Sequence, residues 1–96
     1  MATMAALAAL ERALRKGDLE TPPEVDAQRI AAVARRHGLS MTELAGAAAD
    51  IRDWSRKPTD PVAVVVWRVL GDPGAAVLDR ARRLLLGESS GSTAAV

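Results

Sequence analysis

Few side chains in this sequence of 96 residues have the types and spacing that catalysis requires. His37 is the single histidine, and Ser40 follows it three residues later, so the pair could supply a base and a nucleophile. Nucleophilic catalysis also needs an acid that orients the base and donors that stabilise an oxyanion, and the sequence suggests neither. His37 instead follows Arg35 and Arg36 at the end of a predicted helix, where basic side chains complement the helix dipole.

Metal and cofactor chemistry also lack a recognisable motif. The absence of cysteine excludes disulfides and thiolate ligands. Glu20, Glu24 and Asp26 are close in sequence, but a helix cap accounts for Glu24, and the group is typical of a solvated loop. Gly71 and Gly74 are not arranged as in a glycine-rich phosphate loop, and they follow no predicted strand. We therefore expect no enzymatic activity, no cofactor, no metal and no small-molecule substrate.

Charge and aromatic content narrow the classes of partner. The 13 Lys and Arg residues against 12 Asp and Glu give a formal net charge of +1, far from the basic field of a dedicated nucleic-acid coat. Two Trp without Phe or Tyr provide no stacking platform for single-stranded nucleic acid. No apolar run approaches the ~20 residues that span a bilayer. No basic stretch precedes the first apolar residues either, so we expect a soluble, cytoplasmic protein without a membrane partner. Richness in Ala and Arg is typical of bacterial genes of high GC content, so we expect a bacterial protein.

The elements that would position these side chains are predicted to be helical. Residues 62–70 form the most apolar run, and their three successive valines favour a strand. Asp60 and Pro61 before the run and Gly71 after it are signals of a helix start and end, and no second run of this kind offers a strand partner. We therefore predict a helix that is apolar on all sides, at the centre of a bundle with the other elements packed around it or at the seam of an oligomer.

Capping boxes and apolar side chains spaced three and four residues apart predict the other helices. Thr21 with Glu24 and Ser40 with Glu43 form the two boxes. We expect Trp67 in the core, and Trp54 either closes the apolar stripe of its helix or lies on the surface. Besides the apolar run, the predicted helices cover residues 3–16, 21–37, 40–57 and 72–86. The predicted buried stripe of the 40–57 helix is Leu44, Ala47, Ala48, Ile51 and Trp54 or Ser55, and that of the 72–86 helix is Val77, Leu78, Ala81, Leu84 and Leu85.

The predicted fold is therefore all-α, a single compact bundle of about five short helices. The helical domain covers residues 1–87. Residues 88–96 are mostly Ser, Gly, Thr and Ala with little apolar bulk, so we expect a flexible tail there.

One stretch has a family resemblance. Residues 30–49 read Ile-Ala-Ala-Val-Ala-Arg-Arg-His-Gly-Leu-Ser-Met-Thr-Glu-Leu-Ala-Gly-Ala-Ala-Ala, with a small residue, Ala34, before Gly38, and with Val33, Leu39 and Leu44 as flanking apolar residues. This stretch resembles the helix-turn-helix of bacterial transcription regulators. The resemblance implies DNA binding, with the second helix of the hairpin in the major groove.

The start of that second helix departs from what the resemblance requires. It offers no Arg, Lys, Asn or Gln to read bases, and Glu43 would face a polyanion. DNA binding is therefore the alternative function. Its candidate residues are Arg35, Arg36, Ser40, Met41, Thr42 and Arg52.

Protein binding accounts for two other features. Four short neighbouring helices would leave part of an all-apolar helix over residues 62–70 uncovered. Tryptophan and arginine are enriched at binding hot spots. The sequence has both just after residue 53, and it has three arginines between residues 80 and 83. We predict a non-enzymatic small regulator of the antitoxin, adaptor, inhibitor or assembly type that binds another protein or a second copy of itself. The candidate protein-binding residues are Trp54, Arg56, Lys57, Arg80, Arg82 and Arg83.

Overall fold

The computed structural model describes residues 2–18 and 20–94, with side chains described as far as Gly87. The described residues form α-helices and no strand, which confirms the predicted all-α bundle of five helices. The helices are α1 (Met4–Arg15), α2 (Pro23–His37), α3 (Met41–Arg52), α4 (Pro61–Leu70) and α5 (Gly74–Ala94).

Side-chain caps and left-handed glycines fix several helix boundaries. Thr3, Ser40 and Asp60 each accept hydrogen bonds of 2.9–3.2 Å from backbone N–H groups in the first turn of α1, α3 and α4. Gly38 ends α2 with a φ of 73°, and Gly71 ends α4 with a φ of 72°, a backbone conformation that favours glycine. The predicted starts at Ser40 and Asp60 are therefore confirmed.

The predicted capping box at Thr21 is wrong. α2 begins at Pro23 with Pro22 as its N-cap, and no side chain caps it. Because neither proline has an N–H group, a hydroxyl at Thr21 finds few donors in the first turn. It accepts a hydrogen bond of 2.7 Å from the N–H of Asp18 instead, and so closes the turn between α1 and α2.

α3 ends at Arg52, five residues before the predicted boundary, with Asp53 as its C-cap. The carboxylate of Asp50 binds the backbone N–H groups of Thr59 and Asp60, which turns the chain back along α3 before another helical turn can form. Leu44, Ala47, Ala48 and Ile51 are buried as predicted, whereas Trp54 and Ser55 lie outside the apolar stripe and are exposed.

The predicted central position of the 62–70 helix is also wrong. α4 packs against α1, α3 and the beginning of α5, whereas α2 packs against α1 and α5. One face of α4 is buried, and Trp67, Val69 and Leu70 are half-buried against the core. The core is shared among the helices, so no single apolar run occupies its centre. Its largest fully buried side chains are Leu10, Leu14, Ile30, Leu44, Val62, Val66 and Leu78.

α5 packs against α2 and α3 through Val77, Leu78 and Ala81, which are buried as predicted. Leu84, predicted on the same face, is 38% exposed. The backbone is helical as far as Ala94, beyond the predicted boundary at residue 86. The flexible tail predicted for residues 88–96 lies outside the residues whose side chains are described, so it stays a prediction.

α4 and α5 meet at a sharp bend. Within the described residues, no single helix has the length and hydropathy to cross a membrane; α4 together with residues 74–87 would, but the two are bent by 117°. Gly74 is buried at this bend, and a Cβ atom built on it would lie 2.6 Å from Cγ1 of Val66. The two helices can approach this closely because residue 74 has no side chain.

Replacing this glycine tests the packing at the bend. We expect Gly74→Ala to lower the free energy of unfolding by about 1–3 kcal/mol, because Val66 is fully buried and stiff at χ1 and cannot move aside. Gly46→Ala is the matched control, since a Cβ there meets nothing within 4 Å in the middle of α3; it should raise the same quantity by about 0.5–1 kcal/mol. Urea denaturation measures both, and equal effects of the two changes would contradict the close contact.

Candidate functional site

The loop of residues 53–60, between α3 and α4, carries the most prominent surface feature of the chain. Trp54 is 84% exposed there, although tryptophan is highly buried on average in folded proteins. Arg56 and Lys57 follow it and are exposed as well. The sequence placed these three residues in one candidate protein-binding group, and the structure places them on one loop.

Asp50, on the last turn of α3, holds this loop in place. Its side chain is buried, and one carboxylate oxygen, Oδ2, accepts hydrogen bonds from the backbone N–H groups of Thr59 at 2.7 Å and Asp60 at 2.8 Å. The other oxygen, Oδ1, lies 2.9 Å from Nη1 of Arg56. A buried carboxylate requires such partners, so the position of the loop follows from the burial of Asp50.

Arg56 forms a second set of contacts inside the loop. Its guanidinium lies 3.4 Å from the carboxylate of Asp53 and donates a hydrogen bond of 3.1 Å to the hydroxyl of Thr59. Asp53 in turn accepts hydrogen bonds from the backbone N–H and the hydroxyl of Ser55. These contacts lie on both sides of Trp54 in sequence and fix the backbone that presents it.

These contacts lower the pKa values of both Asp50 and Asp53. Hydrogen bonds from the N–H groups of Asp60 and Thr59, together with the charge of Arg56, hold the pKa of Asp50 below its usual value, and burial opposes this only in part. Hydrogen bonds from Ser55 hold the pKa of Asp53 below its usual value as well. The loop is therefore stabilised by carboxylates in their charged form.

The arginines of α5 do not form one group with this loop. Arg80 lies 3.3 Å from the carboxylate of Glu24 on α2. Arg82 lies 3.2 Å from Asp79, whose pKa is lowered mainly by a hydrogen bond from Arg52 of α3. Residues 80 and 82 therefore face different neighbours, and the predicted protein-binding residues divide between the loop and α5.

The candidate DNA-binding residues other than Arg52 lie around the turn between α2 and α3. Arg35 and Arg36 are exposed near the end of α2. The hydroxyl of Ser40 caps α3, Met41 is half-buried, and Thr42 is exposed. The exposed residues between Thr42 and Arg52 are Gly46 and Ala49, which carry no polar side chain. Arg52 lies at the other end of α3, where it is bound to Asp79.

The acidic residues before and within α2 are separated by the fold. Glu24 binds Arg80, whereas Asp26 is buried with an oxygen 3.5 Å from Nη1 of Arg29. Burial raises the pKa of Asp26, and Arg29 counteracts this shift only partly. Among residues 2–18 and 20–87, no three His, Asp or Glu side chains are grouped so that they could hold a metal ion.

The sequence analysis missed Asp50, on which the site depends. One signal was present: Asp50 is a charged residue beside the buried stripe of Ala47 and Ile51, where a polar group needs partners. What the sequence does not reveal is that those partners lie nine and ten residues later, beyond Pro58. The contacts depend on the path of the loop, which local propensities do not determine.

Removing the Asp50 side chain should release the loop. We expect the amide protons of Thr59 and Asp60 to be protected from hydrogen exchange in the wild-type protein and to lose most of that protection in Asp50→Ala. The matched control is Asp18→Ala, which removes an exposed carboxylate that accepts one backbone hydrogen bond at 2.9 Å. This control should leave Thr59 and Asp60 unchanged. Retained protection in Asp50→Ala would show that other contacts hold the loop.

The two buried aspartates should affect stability with opposite signs. The lowered pKa of Asp50 means that its charged form stabilises the fold above its unfolded pKa of about 3.9 and that this is lost as pH falls through the folded pKa. The raised pKa of Asp26 means that its charged form is unfavourable in the fold. At pH 7, Asp50→Asn should therefore lower Tm and Asp26→Asn should raise it.

The Asp26→Asn difference should shrink as pH falls toward the ordinary aspartate pKa of about 3.9, because folding raises the pKa of Asp26 and its carboxyl becomes neutral in the fold at a higher pH. The Asp50→Asn difference should shrink only below that pH, because the pKa of Asp50 is lowered in the fold. Thermal melts monitored by circular dichroism across this range measure them. A shift of Tm in the same direction for both variants at pH 7 would contradict the assignment.

Comparison with known proteins does not assign the chain to a family. No protein-family model, no curated protein and no solved structure matches the chain. The resemblance of residues 30–49 to a helix-turn-helix therefore stays a prediction, and the function has to be argued from the arrangement of the side chains.

Proposed function

We propose that the chain is a non-enzymatic small regulator of the bacterial cytoplasm that binds another protein through the loop of residues 53–60. The observation that carries the proposal is the 84% exposure of Trp54 on a loop whose backbone is held by a buried carboxylate. Exposure of a large aromatic ring to water does not stabilise the isolated bundle. A partner surface that covers the ring would give it a function.

The energy available from this single side chain is substantial. A tryptophan buries on the order of 200 Å² when it is covered, which at about 25 cal/mol per Å² amounts to roughly 5 kcal/mol as an upper value. Because Asp50 and Arg56 already hold the loop, little conformational entropy is lost when the partner binds. An exposed anchor on a preformed loop is a typical arrangement for a hot spot.

The charges around the ring indicate the kind of surface that would cover it. The guanidinium of Arg56 is engaged with Asp50 and Asp53, so it positions the loop. Lys57 is exposed and has no carboxylate within ion-pair distance among the described residues. We infer a partner with an apolar pocket for Trp54 and an acidic group at its rim for Lys57.

The two tryptophans should respond differently to truncation. We expect Trp54→Ala to keep the Tm of the wild-type protein within a few degrees and to weaken partner binding by at least about 30-fold, which corresponds to the ~2 kcal/mol of a hot spot. Trp67 packs against the core and donates a hydrogen bond to Asp72 at 3.2 Å, so Trp67→Ala should destabilise the fold by about 2 kcal/mol or more.

Affinity capture from a native extract, with and without nuclease, followed by titration of the captured protein, measures the binding. A double change of Arg80 and Arg83 to Glu tests whether α5 contributes to the same interface. A partner that binds Trp54→Ala as tightly as the wild-type chain would exclude the loop as its binding surface.

DNA binding remains the alternative proposal. It is supported by the hairpin of α2 and α3 around the left-handed Gly38, and by the exposure of Arg35, Arg36 and Thr42 beside that turn. The nuclease treatment separates the two functions. Recovery of DNA, with loss of every captured protein after digestion, would favour DNA binding over protein binding by the loop.

A further inference from the structure

A groove between α1 and α2 concentrates positive charge. It has a volume of about 460 Å³, and α1 contributes Arg12 and Lys16 to its lining. α2 contributes Arg29, Arg36 and His37. Alanine side chains and Val33 line the rest, and no carboxylate lines it. The groove lies on helices other than those that flank the loop of Trp54.

The spacing of the charges follows from the helices. Arg12 and Lys16 are four residues apart, so they share one face of α1 and lie about 6 Å apart along its axis. Arg29 and Arg36 are seven residues apart and share one face of α2 over about 10 Å. The positive charges therefore line both sides of the groove over roughly two helical turns.

Three of these cations have no side-chain partner among the described residues. Arg12, Lys16 and Arg36 are exposed, and their side chains take part in no hydrogen bond or ion pair there. Arg29 is held by the buried Asp26 at 3.5 Å. Elsewhere on the surface, the arginines of α3, α5 and the 53–60 loop are largely bound to carboxylates, at Arg52, Arg56, Arg80 and Arg82.

We propose that this groove binds the phosphodiester backbone of a nucleic acid, without reading its sequence. One strand of a B-form duplex carries a phosphate every ~3.4 Å of axis, so the roughly 10 Å of charged groove matches about three phosphates. Arginine and lysine side chains contact phosphates directly. We expect contacts to phosphates rather than to bases, because the groove has no Phe, Tyr or Trp side chain for stacking and no amide side chain for hydrogen bonds to adenine.

The lining argues against an acidic protein segment as the occupant. Protein interfaces gain much of their affinity from aromatic and other large apolar side chains in a buried centre. Alanine side chains and Val33, which is only 8% exposed, provide little such area. A ligand that binds this groove must therefore gain its affinity from charge, as the phosphodiester backbone of a nucleic acid does.

The test compares two triple variants in fluorescence anisotropy titrations with labelled DNA, one duplex and one single strand, each about 20 nucleotides long. Arg12→Gln/Lys16→Gln/Arg36→Gln removes the three unpaired groove cations. Its matched control also removes three exposed cations without described partners, from outside the groove. The control variant is Lys57→Gln/Arg68→Gln/Arg83→Gln. Both should retain the helical circular dichroism of the wild-type chain.

We expect the groove variant to bind DNA at least about tenfold more weakly than the wild-type chain at about 50 mM salt, and the control variant less than threefold more weakly. The slope of log K against log salt concentration should decrease in magnitude by about 2–3 in the groove variant, since each lost duplex phosphate contact removes about 0.9. Polyglutamate of equal charge should compete poorly.

Three results would overturn the proposal: absence of DNA binding by the wild-type chain, equal weakening in the two triple variants, or competition by polyglutamate as strong as that by unlabelled DNA. Displacement of the DNA by inorganic triphosphate at equal phosphate concentration would assign the groove to small phosphate ligands instead. The groove variant changes no residue of the Trp54 loop, so failure of this proposal leaves the proposed function of that loop unaffected.

Discussion

The buried carboxylate of Asp50 is the constraint on which the second half of the chain depends. A charge removed from water has to find hydrogen-bond donors, and this one finds them in the backbone of Thr59 and Asp60 and in the guanidinium of Arg56. Asp60 then caps α4. The end of α3, the course of the loop and the start of α4 are thus linked through one side chain, and the exposure of Trp54 results from the same contacts.

The sequence was a good guide wherever the physics is local. The helix starts at Ser40 and Asp60 and the end at Gly71 depend on side chains within three or four residues of the boundary, and they were predicted. The apolar spacing likewise identified the buried faces of α3 and α5. The class of fold followed from these elements together.

The errors arose where the path of a loop or the packing between helices decides the structure. The early end of α3 depends on contacts of Asp50 across the loop, which helix signals do not show, and the apolar run over α4 gave no sign that α2 packs elsewhere. The groove of Arg12, Lys16 and Arg36 was missed because its cations come from two helices and are widely spaced in sequence. The low formal net charge of the chain also gives no sign of the groove. That charge does not show that most other arginines form ion pairs with carboxylates, whereas these cations do not.

The contacts that present Trp54 all lie between residues 50 and 63, and the longest of them joins residues ten positions apart. Loops of this length close in roughly 10–100 ns, well before distant helices of a bundle meet, and short-range contacts of this kind favour rapid folding. The conformation of this segment therefore depends mainly on contacts within the segment itself. Insertion of residues 50–63 between two other helices is therefore expected to transfer the presentation of the Trp54 ring together with the sequence.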